Sequence, residues 1–176
     1  MKSRITGCAV LAVLLIAYES SASAQMNNKM GDLADKFRTQ LTGEPVTVQQ
    51  QGAVTLMSNA DAMFGSGGWE LNPGVPVLSK IIPVLAKLQN TEIVVGGYTD
   101  NTPIGAELQS KGIANNLDLS CKRAASVVGH LVAQGVNPNL LSVQCFGATH
   151  PVAPNDTPDG KAKNRRVAIT LTGDGT

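Results

Sequence analysis

Hydrophobic and polar positions along this chain follow two periods, and their alternation predicts a layered fold. Leu33, Phe37 and Leu41 recur at helical spacing with Gly43 as a stop, after a polar stretch from Gln25 to Gly31 that reads as loose. Val46-Thr47-Val48 and Val54-Thr55-Leu56 are β-type runs separated by Gln49-Gln50-Gln51-Gly52, the pattern of a hairpin. Asn72-Pro73 reads as a cap followed by proline at the first helical position. Leu78, Ile81, Ile82, Leu85 and Leu88 then trace one apolar helix face, with Pro83 predicting a kink or a late start. Ile93-Val94-Val95, closed by Gly96-Gly97, suits a central strand. Asn116, Asp118 and Ser120 are capping types ahead of Ala124, Val127, Val128, Leu131 and Val132, which predicts a helix over Leu119–Gln134 ended by Gly135. Leu140 to Phe146 reads as a strand. Gly147 to Lys163, with Pro151, Pro154, Pro158 and Gly160, reads as a long surface loop. Arg166 to Thr172 alternates Val167, Ile169 and Leu171 with polar positions, a closing half-buried strand.

Strand–helix–strand–helix–strand–strand predicts an α+β two-layer sandwich, with helices packed on one face of a mixed sheet. The 176 residues suffice for one domain with a real core. Only 3% are aromatic, so aliphatic side chains must supply the packing. Lys and Arg number 14 against 13 Asp and Glu, a balance that implies no nucleic-acid or acidic-membrane partner. Lys2 and Arg4, the apolar run Ile5–Ala17 and Ala22-Ser23-Ala24 together read as a signal peptide over residues 1–24. Cys8 lies at the start of that apolar run and not after it, so the lipoprotein reading of Ile5-Thr6-Gly7-Cys8 is rejected. Residues 25–51 read as an N-terminal extension of short helix and strand decorating the domain, 52–172 as that domain, and 173–176 as a tail. Beyond the leader two cysteines remain, Cys121 and Cys145. In an oxidising compartment they read either as a disulfide or as two small buried thiols.

Thr99-Asp100-Asn101-Thr102-Pro103-Ile104, followed by Asn116-x-x-Leu119-Ser120-x-x-Arg123-Ala124, resembles the peptidoglycan-binding domain shared by the OmpA C-terminus, the Pal lipoprotein and the flagellar protein MotB. The spacer between the two motifs is most similar to the MotB-like branch. Met63-Phe64-x-Ser66-Gly67 with Glu70-Leu71 resembles the family's opening. Phe146-Gly147, Pro151, Asn155 and Asn164-Arg165-Arg166-Val167 resemble its close. Separated motifs in the right order are far more specific than any one short pattern.

The resemblance implies that Asp100 accepts the ammonium of a diaminopimelate side chain and that Arg123 grips the carboxylate on the same carbon. For the carboxylate a planar fork suits better than a lysine. Asn116, Thr99, Thr102 and Leu119 are expected to shape the pocket, with Arg166 bordering it. The blander roles are a turn for Asp100, a solvated cation for Arg123 and Arg166, and capping and packing for the others. No metal site or cofactor is expected. Neither His130 nor His150 has a partner at nucleophile or metal spacing, and no catalytic motif is visible. Cys121 near a helix start has no adjacent base. The implied function is a non-catalytic periplasmic protein bound to peptidoglycan near the outer membrane of a Gram-negative-type cell, possible partners being envelope proteins and not nucleic acid. The alternative is an assembly component of a stator or secretion machine, with wall contact secondary.

Overall fold

All five β-type runs enter one sheet. The computed structural model describes residues 7–176 apart from Ser66 and Gly74, with side chains from residue 23 onward. Lys2 and Arg4, read above as the start of a leader, lie outside the described residues. The elements are α1 (Gly7–Gln40), β1 (Val46–Gln51), β2 (Ala53–Asn59), α2 (Ala60–Met63), α3 (Pro76–Leu85), β3 (Thr91–Tyr98), α4 (Ala106–Ser110), α5 (Asn116–Ala133), a 3-10 turn (Pro138–Leu140), β4 (Leu141–Gly147), α6 (Pro158–Asn164) and β5 (Arg166–Gly173). Strand order is β1-β2-β5-β3-β4. Only β3 and β4 run parallel, joined by the crossover that contains α5, so the sheet is mixed. The last strand thus sits between the second and third, away from the sheet's edge.

Alternation along each strand puts Val54, Leu56, Ile93, Val95, Ile169 and Leu171 on the face that meets the helices. Leu78, Ile81 and Leu85 of α3, Leu131 of α5 and Phe37 of α1 are fully buried against them. Met30, Leu33, Ala34, Phe37 and Leu41 form a stripe at helical spacing that joins this same core. The segment before residue 52 therefore shares the domain's core, and β1 extends its sheet. Among the described residues no helix is long and apolar enough to cross a membrane.

Several local expectations are corrected. Gln25–Gly31 lies inside α1, because helix propagates readily from a packed stripe that begins at Met30. Helix α3 starts at Pro76, not Pro73. The Asn72 amide is taken by the Met63 carbonyl at 2.9 Å and Leu71 bridges Phe64, which holds this stretch extended. Pro83 lies within α3, which runs on to Leu85. The cap of α5 is Asn115, whose side chain accepts from the Asp118 amide, so Asn116 is the first helical residue. The long loop after Gly147 contains α6, capped by Thr157 and started by Pro158.

Candidate functional site

Asp100 reaches its position because β3 ends just before it. The β3–β4 register shifts between Gly97 and Tyr98, and the Thr99 amide then bonds the Gly147 carbonyl at 2.8 Å. The Thr102 amide donates to Asp100 Oδ1 at 2.8 Å, and Thr99 Oγ1 to the Asp100 carbonyl at 2.8 Å. Asn116 Nδ2 donates to the Asp100 and Thr102 carbonyls at 3.3 and 3.0 Å, which ties the start of α5 to the loop. Ser120 Oγ accepts from the Gly147 amide at 3.0 Å, and Cys121 and Cys145 are joined by a disulfide with Cα atoms 4.8 Å apart. The end of β3, the end of β4 and the first turns of α5 are one bolted unit.

Arg123 projects from the far end of the second turn of α5 and is 2% exposed. Its Nε donates to the Gly68 carbonyl at 2.9 Å, and its guanidinium lies 5.5 Å from the Phe64 ring centroid. Its Nη1 is buried with no partner among the described residues. Burial pulls its pKa down, against the fields of Asp61 and Asp100. A desolvated guanidinium with an idle donor is a cost to the fold, of the kind found where a ligand is awaited.

Asp100 and Arg123 line one cavity of about 510 Å3, together with Thr99, Thr102, Asn116 and Leu119. They make no direct ion pair. Asp100 Oδ2 instead accepts from Arg165 Nη1 at 2.7 Å, and Arg165 also forks onto Asp61, with Nη2 2.7 Å from Oδ2. Asp61 and Arg165 line the same cavity, which so holds two acids and two guanidiniums. Neither was singled out from the sequence. Arg165 belongs to the Asn164-Arg165-Arg166 motif, but choosing between the two arginines required knowing where β5 begins. Asp61 lies 104 residues from its partner and carries no local signal.

Arg166, expected at the pocket's border, lies elsewhere. As the first residue of β5 it stacks on Tyr98, its carbon Cζ 3.6 Å from the ring centroid, and donates to the His150 carbonyl at 3.1 Å. It lines a separate cavity with Asn59 and Lys163. Asn164, fully buried, accepts from the Val152 and Ala153 amides and donates to Ala153 and Asn155, which anchors the segment that presents Arg165. The described residues contain no cluster of side chains suited to a metal ion.

The disulfide closes a loop with a sequence separation of 24. Replacing both cysteines by serine is expected to cost about 2–4 kcal/mol, read as a lower urea midpoint, while reductant should shift the wild type alike. Superimposable curves would count against a structural role. For Asp100, burial raises the pKa, but the hydrogen bonds from Arg165 and Thr102 outweigh it, and the net shift is downward. A depressed folded-state pKa stabilises the protein above the unfolded carboxylate's value of about 4, and that contribution is lost as pH falls through the lower folded value. Tm should therefore fall below about pH 4 in the wild type, and less steeply in Asp100→Asn, which should also start lower at neutral pH. Parallel profiles would refute it.

The OmpA family model matches residues 63–165. Peptidoglycan-binding protein ArfA of Mycobacterium tuberculosis is 35% identical over 122 residues, 69% of this chain and 35% of ArfA. The chain thus spans about a third of that relative's length. Its fold is similar to the periplasmic domain of Helicobacter pylori MotB, with 30% identity and a TM-score of 0.67 over 76% of this chain and 85% of that one. It is also similar to the cell wall anchor of the T6SS from Pseudomonas aeruginosa, with 27% identity and a TM-score of 0.70 over 80% and 96%.

Proposed function

The chain belongs to the OmpA family, and from that membership we propose that it is a non-catalytic module gripping peptidoglycan through the diaminopimelate of the stem peptide. The observation that carries this reading is the meeting of Asp100 and a partly unsatisfied Arg123 on the wall of one cavity. One carbon of the diaminopimelate side chain bears both an ammonium and a carboxylate, so its receptor needs both signs within one ligand's reach. Asp100 takes the ammonium on the carboxylate lone pairs that Arg165 and Thr102 leave open. Arg123 takes the carboxylate, and Arg165 with Asp61 holds Asp100 in place. In this reading the leader over residues 1–24 directs export, and the domain works in the periplasm against the wall, near the outer membrane.

Cosedimentation with isolated sacculi tests it. The protein is expected in the pellet and to be released by free diaminopimelate. Pimelate and cadaverine, which carry one sign each, should not release it, and no muropeptide should appear in the supernatant. Protein left in solution, or release by either one-sign compound, would defeat the reading. A second reading, a component of a stator or secretion machine, is favoured by the likeness to MotB and to the T6SS wall anchor. Crosslinking in cells separates the two, since a machine component should recover a stoichiometric protein partner.

A further inference from the structure

A second cavity of about 390 Å3 adjoins the first, and nothing in the proposed grip on diaminopimelate uses it. Gly68, Trp69, Glu70, Asn72, Pro73 and Lys111 are among the residues that line it. Two pairs of neighbours place it beside the first. Gly67 lines one cavity and Gly68 the other, while Leu108 and Lys111, one helical turn apart, divide in the same way. The shared wall is fixed to the charged site, because the Gly68 carbonyl is the acceptor for Arg123 Nε.

The loop that forms this wall is held at its base. Phe64 bridges Leu71, the Gly68 amide bonds the Gly65 carbonyl at 2.8 Å, and the Asn72 amide bonds the Met63 carbonyl at 2.9 Å. On it stands Trp69, the chain's one tryptophan, left partly exposed in a protein whose core is mainly aliphatic. Lys111 is held by Glu107 at 2.8 Å, whereas Glu70 makes no ion pair among the described residues. The spare charge here is therefore acidic, which opposes a peptide's free carboxylate. A neutral ligand with hydroxyl donors and an apolar face suits it better. An indole gives that face a flat partner, and Glu70 and Asn72 can accept from hydroxyls at its edge.

We propose that this cavity seats a sugar ring of the glycan strand to which the stem peptide is attached, with its C–H face on Trp69 and its hydroxyls toward Glu70 and Asn72. The inference rests on the diaminopimelate reading, and deepens it from a side chain to a peptide with its sugar. Two binding sites engaged by one linked ligand reinforce each other, so the glycan raises affinity without displacing the charged end group.

Calorimetric titration of the full chain with two ligands tests it: the free diaminopimelate-containing stem peptide, and the same peptide carrying its disaccharide. The wild type is expected to bind the disaccharide form about tenfold more tightly. Trp69→Ala should bring that ratio to about one with its affinity for the free peptide unchanged, and Glu70→Gln, at an exposed position, should lower the ratio without disturbing the fold. Equal affinity of the wild type for both ligands would overturn the proposal and leave the diaminopimelate reading standing. So would a Trp69→Ala variant that loses both ligands in the same proportion, or one that keeps the full ratio. Failure of the wild type to bind the free peptide would instead sink the diaminopimelate reading, and this inference with it.

Discussion

Arg123→Met is expected to release the protein from sacculi while leaving its melting temperature level or higher. The binding side of this result follows from the pair that Arg123 would form with the ligand's carboxylate. Truncating one member of a desolvated pair costs about 2–5 kcal/mol, largely by stranding its partner, which corresponds to a loss of roughly 30-fold or more in affinity. The stability side follows from burial. Arg123 is 2% exposed, its Nη1 has no partner among the described residues, and no carboxylate touches it. What methionine gives up is one bond to a carbonyl and the stacking on Phe64. What it relieves is the desolvation of a guanidinium, and apolar replacements of buried ions are often neutral or stabilising. A purely structural arginine would show the reverse, lost stability with binding kept. Pelleting and thermal melts on one preparation decide between them. Arg123→Lys should recover little binding, since a point charge does not reproduce the fork.

Gly97→Ala is expected to cost about 4 kcal/mol or more, enough to consume a large share of an ordinary domain's stability. A methyl group there would sit 2.1 Å from the Ser120 carbonyl oxygen and 2.8 Å from its carbon. Those are backbone atoms of α5, so no side chain can swing aside, and the helix itself must lift from the sheet. The same shift would separate the two halves of the site, for Gly97 lies three residues before Asp100 and Ser120 three before Arg123. Gly129→Ala is the matching control. It lies inside α5 with open space around the added methyl, and should stabilise by about 0.5–1 kcal/mol. Chemical denaturation of both variants checks the contrast. A Gly97→Ala protein as stable as the wild type would mean that α5 does not pack on β3 this closely.

The two variants also mark where local pattern stops being informative. Gly97 was legible as the end of a strand, and Arg123 as a residue of the α5 region. That the two segments touch was legible only through the family resemblance. The same holds for the arginines of the closing motif. In a strand successive side chains point to opposite faces, so a one-residue uncertainty in where β5 starts exchanges Arg165 for Arg166. The fold places Arg165 on Asp100 and Arg166 on Tyr98 across the sheet. Asn72 shows the converse. Asn72-Pro73 has the chemistry of a helix start, yet a bond to Met63 recruits it into the loop that carries Trp69.

By itself the sequence determined the number and place of the strands, the faces of the main helices, and the glycines that stop two of them, Gly43 and Gly135, with φ of 85° and 92°. These follow from side-chain period and backbone freedom, which act over a few residues. Tertiary structure alone decided the insertion of β5 between β2 and β3, the cysteine pairing, and the capture of Asp100 by an arginine 65 residues downstream. Each of those depends on which distant surfaces exclude water together, and no local window of sequence contains that information.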